Sequence, residues 1–411
     1  MPRLVIIADD LTGAADTAAC FAQAGLRTIV MIPEGGFWLP SPQNPVSSEM
    51  DPYDPQAVSQ SMPDVLSLST DSRQLPSAEA GRRVRQAVHW LQHNGFADPD
   101  TLFYKKVDSL MRGHPAVELA AMLNALSLDR ALVAPAFPAQ GRLTLKGQQV
   151  IRAGASAHQI DLHEIFGLPG EGAPSLHWLP GDHAWSTSEP GLYVADAETE
   201  ADLEGLAREL PAQGFHLACG SAGLARALQR VNWPGCTPPT GAPARAHAGQ
   251  PVLVVAGSRA SALLRQVEAA RQSGICVVTP GFSFLEEGPF QPEDLVLTLA
   301  PVLSAGQPAI LTTAGLPVLS NGDEMVAARL AAVAGKLVEA GLVGGLLLTG
   351  GDTAAAVCHR LGASLIELHG EPVPGIASGA LLDGHHPGLP LITKAGAFEC
   401  NLAMLIGDFF D

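Results

Sequence analysis

Aromatic and basic residues are scarce in this chain of 411 residues, in which Phe, Trp and Tyr together make up only 5%. The 24 Lys and Arg residues are outnumbered by 41 Asp and Glu residues, so the formal net charge is −17. This balance argues against nucleic acid or an anionic membrane surface as a partner. A small anionic ligand is compatible with it, because a local basic pocket can lie on an acidic protein.

The chain also lacks paired cysteines, a signal-peptide pattern and long apolar runs. Its six cysteines are scattered without a C-x-x-C pair, which favours small core residues in a reducing compartment. The N-terminus leads directly into an apolar strand, and no apolar run approaches the length of a membrane span. We therefore expect a cytoplasmic protein with no membrane partner.

Strand and helix patterns alternate along most of the sequence, which predicts an α/β fold. The length suffices for two domains with separate cores. Residues 233–250 are rich in Pro and Gly and are predicted to form a linker between domains of residues 1–232 and 251–411. Each domain should contain a largely parallel sheet covered by helices. Residues 33–63 are predicted to form a long irregular excursion.

The first strand and its turn carry the most informative pattern. Five apolar residues, Leu4 to Ala8, are followed directly by Asp9 and Asp10, and a helix is predicted to begin near Ala14. In open α/β sheets, ligands bind at the carboxyl ends of the strands. A helix cap would require only one of the two carboxylates, so the pair favours a functional site.

Other predicted strand ends in the first domain are also charged. The charged residues of these segments are Arg73 after the strand of residues 65–69, Lys105, Lys106, Asp108 and Arg112 around the strand of residues 102–106, and Arg142 further on. Arg and Lys can hold a carboxylate, and Asp can accept hydrogen bonds from sugar hydroxyls. The clusters predict a site for a polyhydroxylated acid, with surface salt bridges as the alternative. His114 is predicted to be a structural hydrogen-bonding residue.

Three turns in the second half have the composition of a phosphate cradle. They are Gly257-Ser258, Gly350-Gly351-Asp352-Thr353 and Lys394-Ala395-Gly396. Glycines let a phosphate approach the backbone, and a helix N-terminus offers free N–H groups and positive potential. Ser258 is expected to cap a helix of residues 259–273, and Lys394 to meet phosphate charge. The alternative is that each is an ordinary turn between a strand and a helix.

These segments, in this order, resemble the four-carbon acid sugar kinase family, the DUF1537 group of D-threonate, D-erythronate and 3-oxo-tetronate kinases. The resemblance spans nearly the whole chain. The matching motifs are residues 7–14, 105–109 with 112–113, 136–138 with 141–142, 195–199, 220–225, 255–258, 349–353 and 394–396.

The resemblance implies an N-terminal sugar-acid domain and a C-terminal ATP domain, with the active site in the cleft between them. The candidate substrate residues are Asp9, Asp10, Arg73, Lys105, Lys106, Val107, Asp108, Arg112 and Arg142. The candidate residues for ATP are Ser258, Gly350, Gly351, Asp352, Thr353, Lys394 and Gly396. Mg²⁺ is expected to bridge the terminal phosphates.

The expected reaction is phosphorylation of the terminal O4 hydroxyl of a tetronate by ATP. Arg73, Lys105 and Lys106 are expected to bind the carboxylate of the acid. The general base is either Asp352, which adjoins the phosphate turn, or Asp10, which lies in the substrate domain. Glu399 stands where the family usually has Gly, and a carboxylate there is expected to weaken ATP binding or change its pose.

Two other functions are compatible with parts of the pattern. A sensor would bind a sugar acid without turning it over, and Glu399 is the residue that favours this reading. An aspartyl phosphatase would need Asp-x-Asp-x-Thr, but Thr12 stands where the second Asp belongs. Self-association is expected from the size and class of the protein alone.

Overall fold

The structure is a computed structural model that describes residues 2–33, 62–153, 156–167, 173–181, 187–234, 246–247, 250–258, 260–317 and 323–410. The chain divides into two compact units, unit 1 (residues 1–238) and unit 2 (residues 239–411). Nearly all of the predicted excursion of residues 33–63, and most of the predicted linker of residues 233–250, lie outside the described residues.

Unit 1 is built on a parallel sheet with the strand order β2-β3-β1-β4-β11-β5-β10-β9. The strands of this sheet are β1 (Leu4–Ala8), β2 (Thr28–Met31), β3 (Val65–Ser69), β4 (Leu102–Lys106), β5 (Arg130–Ala134), β9 (Leu176–Leu179), β10 (Gly191–Ala195) and β11 (Leu217–Gly220). A separate antiparallel sheet contains β6 (Arg142–Leu145), β7 (Gln148–Ala153) and β8 (Ser156–Asp161). A short 3₁₀ helix, Pro138–Gln140, precedes β6.

The helices of unit 1 follow strands, as the sequence pattern predicts for an α/β fold. They are α1 (Leu11–Gln23), α2 (Ser77–His93), α3 (Pro115–Ala125), α4 (Leu162–Phe166), α5 (Glu200–Ala212) and α6 (Ala222–Asn232). Helix α1 consists largely of buried small residues and packs against β1, β2 and β3. Helix α2 is amphipathic, and its apolar residues Val84, Val88 and Leu91 are buried.

Unit 2 has a sheet of order β13-β14-β12-β15-β18-β17-β16. Its strands are β12 (Val252–Ala256), β13 (Cys276–Val278), β14 (Ala309–Thr312), β15 (Gly345–Thr349), β16 (Leu365–Val373), β17 (Ile376–Leu381) and β18 (Pro390–Lys394). The first five strands in that order are parallel, and β17 and β16 continue the sheet antiparallel. The helices are α7 (Ser261–Gln272), α8 (Glu293–Ser304), α9 (Asp323–Glu339), α10 (Gly351–Arg360) and α11 (Leu402–Phe410), with a 3₁₀ helix at Phe282–Leu285.

These observations confirm the predicted α/β fold with a largely parallel sheet in each unit. The apolar runs of the parallel strands are buried from end to end, as is typical when helices cover a parallel sheet. Because the parallel strands of each sheet run in one direction, their carboxyl ends meet at one edge. That edge brings β1, β3 and β4 together in unit 1, and β12, β15 and β18 together in unit 2.

Candidate active site

The paired carboxylates at the end of β1 have separate structural tasks. Asp10 caps α1: its Oδ1 accepts from the Gly13 N–H at 2.9 Å, and its Oδ2 accepts from the Thr12 hydroxyl at 2.8 Å. This cap makes residues 11–13 the first turn of the helix, so α1 begins at Leu11 rather than near Ala14 as predicted. Asp9 is not part of the cap, and both side chains are buried.

Arg73 lies against both carboxylates. Its Nε and Nη2 donate to Asp9 at 2.7 and 2.8 Å, and its Nη1 and Nη2 donate to Asp10 at 2.8 Å each. Burial alone would raise the pKa of Asp9, but the Arg73 guanidinium, aided by Lys105 and Lys106, brings that pKa below its usual value. The three side chains therefore form one hydrogen-bonded unit that is largely buried.

The turn that carries Arg73 is held from several sides. The backbone N–H groups of Ser72 and Arg73 donate to the Asp9 carbonyl, at 2.9 and 3.3 Å. Arg83 donates from α2 to the carbonyls of Thr70 and Asp71. Asp71 has a φ of 47°, a region that residues other than Gly enter at a cost. The contacts around it hold this conformation in place.

Lys105 is in a different setting from the one expected. Its side chain is 0% exposed, and its Nζ lies 2.8 Å from the Glu118 carboxylate. The same Nζ donates to the carbonyls of Lys106 at 2.8 Å and Ile7 at 3.3 Å. These contacts use all three ammonium donors, so this arrangement leaves none for a substrate.

Lys106 points to the opposite side of β4 from Lys105, because side chains alternate along a strand. A Cβ added at Gly13 would lie 3.3 Å from its Nζ, which puts the ammonium beside the first turn of α1. Within the described parts of the chain, no carboxylate lies at ion-pair distance from that Nζ.

Val107 is the next residue after Lys106. Its backbone N–H donates to the Gly220 carbonyl at 2.9 Å, and its side chain is buried.

Asp108 and Arg112 form a bidentate pair in the loop after β4. Arg112 donates from Nε at 2.6 Å and from Nη2 at 3.0 Å. Burial opposes ionisation of Asp108, but Arg112, Arg73 and Lys106 lower its pKa to about 2. A Cβ on Gly113, whose φ is +82°, would lie 3.1 Å from Asp9 Oδ2, so this loop closes directly over Asp9.

Arg142 enters the same area from the antiparallel sheet. Its Nη1 donates to the side chain and carbonyl of Gln140, at 2.8 Å each, while its Nε is buried without a hydrogen-bond partner. Burial lowers the pKa of Arg142, and the charges of Asp108 and Arg112 also act on it. Among the described residues, no carboxylate forms an ion pair with Arg142.

The predicted turns of unit 2 converge on one another. Gly350 precedes α10 with a φ of 101°, a conformation that favours Gly. A Cβ on Gly396 would lie 1.8 Å from Ser258 Oγ, and a Cβ on Gly257 would lie 2.2 Å from Thr353 Oγ1. The Ser258 and Thr353 hydroxyls therefore occupy the space that a Cβ at position 396 or 257 would fill. Both hydroxyls lie beside the N-terminus of α10.

Two helix predictions in unit 2 need correction. Helix α7 begins at Ser261, not at residue 259, and Ala260 is its N-cap. Ser258 accepts from the Ala260 N–H at 3.3 Å instead of capping the helix. Asp352 is an exposed residue in the first turn of α10, where Gly350 is the N-cap.

Lys394 stabilises the loop that follows it. Its side chain is buried, and its Nζ donates to the carbonyls of Ala395 at 3.1 Å and Phe398 at 2.9 Å. Burial lowers its pKa. Glu399, whose carboxylate was expected to disturb ATP, is ion-paired with Arg265.

Two buried residues beside the site were not predicted from the sequence. Glu118 also accepts from Ser72 Oγ at 2.6 Å, and its one sequence signal is that it is a lone Glu among the apolar residues of α3. Gln149 donates to the carbonyls of Ser109 and Pro135 and connects β7 to the site loops. His114 is structural as predicted, with Nε2 2.6 Å from the Leu75 carbonyl.

The described residues contain no group of three or more His, Cys, Asp or Glu side chains that could hold a metal ion. None of their helices is both long enough and apolar enough to cross a membrane.

Comparison with known proteins identifies both halves of the chain. A family model described as a sugar-binding N-terminal domain matches residues 4–168, and one described as a nucleotide-binding C-terminal domain matches residues 253–398. A D-threonate kinase of Bordetella bronchiseptica is 34% identical, over 97% of this chain and 94% of its own length. A D-erythronate kinase of Heliobacterium modesticaldum is 30% identical, over 96% of this chain and 95% of its own length.

A solved structure supports the same fold. A Haemophilus influenzae protein of the DUF1537 group aligns with a TM-score of 0.67 at 19% identity, covering 99% of this chain and 100% of its own. The matched domains and the identity over nearly the full length lead to one assignment. The chain belongs to the four-carbon acid sugar kinase family.

Proposed function

We propose that the protein is a kinase that transfers a phosphoryl group from ATP to the terminal O4 hydroxyl of a four-carbon sugar acid. Relatives that match nearly the whole chain bear the names D-threonate kinase and D-erythronate kinase. The observation that carries the proposal is the arrangement at the strand ends of unit 1. There, Lys106 and Arg142 lack carboxylate partners among the described residues and lie near a cluster of acidic side chains.

The carboxylate of the acid is assigned to Lys106 and Arg142. Arg73 is ion-paired with Asp9 and Asp10, and Lys105 is ion-paired with Glu118. A buried guanidinium nitrogen without a partner is costly, and an anionic substrate would supply the acceptor that Arg142 Nε lacks. This assignment changes the roles first expected for Arg73 and Lys105, which become positioning residues.

The hydroxyls of the acid are assigned to Asp9, Asp10 and Asp108. Each is a carboxylate that already accepts from an arginine, and each oxygen has more than one lone-pair direction. The lowered pKa values of Asp9 and Asp108 keep these two ionised near neutral pH. They therefore act as fixed acceptors that orient hydroxyls, while Arg112 stays paired with Asp108 at the rim of the site.

The nucleotide is assigned to the three converging turns of unit 2. Glycines at 257, 350 and 396 leave the backbone open beside Ser258 and Thr353, and the N-terminus of α10 favours phosphate. The acidic and hydroxyl groups of Asp352, Ser258 and Thr353 fit Mg²⁺, which binds through few carboxylates plus substrate phosphates. Mg²⁺ would neutralise charge on the phosphates. Lys394 shapes the turn of Gly396 rather than contacting phosphate.

Asp352 is the better candidate for the general base. Asp10 accepts four hydrogen bonds, from Gly13, Thr12 and Arg73, so its oxygens are already engaged by the helix cap and by the guanidinium. We expect D352N to lower kcat by about 100-fold with little change in either KM. Steady-state kinetics would measure this, with D10N as the comparison; equal kcat in wild type and D352N would contradict the assignment.

Transfer requires the sugar-acid hydroxyl and the γ-phosphate to meet in line. The expected active site between the two units is a requirement of this chemistry and stays a prediction. The expected cytoplasmic location and self-association are also predictions.

The direct test is ADP formation in the presence of MgATP and a panel of acids. The panel contains D-threonate, D-erythronate, a 3-oxo-tetronate and, as a control without the carboxylate, the matching tetritol. We expect ADP with at least one acid and at least a 100-fold lower kcat/KM with the tetritol, because Lys106 and Arg142 then lack their anion.

Other outcomes of the same assay would contradict the proposal. Tight binding of an acid without ADP would favour a sensor, the alternative that Glu399 suggested. Glu399 is exposed and ion-paired with Arg265, which offsets part of its charge. ADP release at the same rate with and without any acid would indicate an idle ATPase.

A further inference from the structure

A fully buried ion pair lies beneath the substrate site. Glu118 of α3 is 1% exposed and Lys105 of β4 is 0% exposed at the side chain, with 2.8 Å between carboxylate and ammonium. The other Glu118 oxygen accepts from Ser72 at 2.6 Å, and Ser72 lies 2.8 Å from Thr70 Oγ1. None of these groups reaches solvent, so none can be explained as a surface contact.

Stability alone does not account for a charged pair at this depth. Moving two charges out of water costs several kcal/mol per ion, and well-packed apolar residues of similar volume often serve stability as well or better. A buried polar network can instead fix the positions of the backbone and side-chain groups that it contacts. The relevant question is therefore which parts of the protein this pair holds.

The pair holds the ends of the three strands that carry the site. Lys105 donates to the carbonyls of Ile7 at the end of β1 and of Lys106 at the end of β4. Ser72 lies in the turn after β3, and its N–H donates to the Asp9 carbonyl at 2.9 Å. Glu118 thus connects the backbone before Asp9, the backbone of Lys106 and the residue next to Arg73.

We propose that Glu118 is a positioning residue for the sugar-acid site, acting through Lys105 and Ser72. The inference rests on the proposed function and adds a residue to it. Without the Glu118 carboxylate, Lys105 loses its only carboxylate partner among the described residues, and Ser72 loses an acceptor. The turn of residues 70–73, where Asp71 already has a φ of 47°, is then less firmly held beneath Arg73.

The consequence should be specific to one substrate. A displacement of about 1 Å in a positioned group can lower a rate by about 100-fold. We expect E118Q to lower kcat/KM for the sugar acid by about that factor, while KM for ATP stays within about twofold. A general loss of folded protein would instead lower the kcat calculated from total enzyme and leave both KM values unchanged.

A double variant separates positioning from stability. In K105M/E118L, apolar side chains of similar size replace both charges, so the melting temperature should match or exceed that of E118Q. The carbonyls of Ile7 and Lys106 lose their donor, so kcat/KM for the acid should remain about 100-fold below wild type. E204Q is the control, because Glu204 forms an ion pair with Arg230 at the surface of the same unit and should leave kinetics unchanged.

Each result has a distinct meaning. Wild-type kinetics in K105M/E118L would overturn the positioning role and leave the proposed function intact. A similar rise in KM for both ATP and the acid in E118Q would also overturn it. If the wild-type protein forms no ADP with any acid, calorimetric titration with D-threonate replaces the rate as the readout. Absence of both turnover and binding would remove the proposed function, and the role of Glu118 with it.

Discussion

Replacing Arg73 by alanine should have the largest effect of any single substitution in unit 1. The variant R73A leaves Asp9 and Asp10 adjacent, buried and without the guanidinium that binds both. Removing one partner of a buried ion pair costs about 3–5 kcal/mol of unfolding free energy. Because the two carboxylates would also lose the group that fixes their positions, kcat/KM for the acid should fall by about 1,000-fold. Urea denaturation and steady-state kinetics measure the two effects.

Two further variants make the Arg73 prediction specific. R73K keeps the positive charge, but an ammonium group cannot reproduce the four hydrogen bonds of the planar guanidinium. Its unfolding free energy and its kcat/KM should therefore lie between those of wild type and R73A. R82A removes an arginine that is paired with Glu79 on the surface of α2 and should change neither quantity. ATP binding should survive in R73A, because the nucleotide is assigned to unit 2. An R73A protein with wild-type stability and wild-type KM for the acid would refute the role of this cluster.

Alanine at position 396 should have the largest effect in unit 2. The added Cβ would lie 1.8 Å from Ser258 Oγ and 2.4 Å from Ser258 Cβ, so two of the three turns must move apart. Gly396 does not have a positive φ, so the clash rather than backbone strain is the cause. We expect G396A to raise the Kd for MgATP by about 100-fold and to leave acid binding unchanged. Calorimetric titration with each ligand measures this split.

A second substitution that removes the clashing side chain should restore ATP binding. In G396A/S258G the next atom of residue 258 is its Cα, 3.8 Å from the new Cβ, which is an ordinary contact. The double variant should recover much of the ATP affinity, and what it fails to recover measures the contribution of the Ser258 hydroxyl. G407A is the matched control, since a Cβ there meets nothing within 4 Å. Equal ATP affinity in G396A and wild type would mean that the three turns do not hold the nucleotide.

Local patterns in the sequence predicted most of the strands near the site. The strands Leu4–Ala8, Val65–Ser69 and Leu102–Lys106 have the predicted bounds, because apolar runs that end in charged residues are local signals. Helix starts were less accurate, since Thr12 and Gly13 read as a turn until the Asp10 cap places them in α1. The antiparallel sheet of β6, β7 and β8 depends on pairing that no local pattern marked.

The site was harder to predict because the fold, and not a local pattern, decides which group each charge meets. Lys105 and Lys394 follow the same pattern as ligand-binding lysines, a cation at the end of an apolar strand. Only the fold brings Glu118 beneath Lys105 and turns the carbonyl of Phe398 toward Lys394. Arg142 shows the opposite case, since the sequence assigned it to the same candidate site as Asp108, and in the structure the charge of Asp108 acts on it.

The central claim is that a phosphoryl group passes from ATP to a sugar-acid hydroxyl. Phosphorus NMR of a reaction that contains D-threonate or D-erythronate, MgATP and the protein tests it most directly. The account predicts a new phosphomonoester, coupled to the C4 protons of the acid, in equal amount to the ADP formed. Orthophosphate without an ester, or an ester on another carbon, would contradict the account.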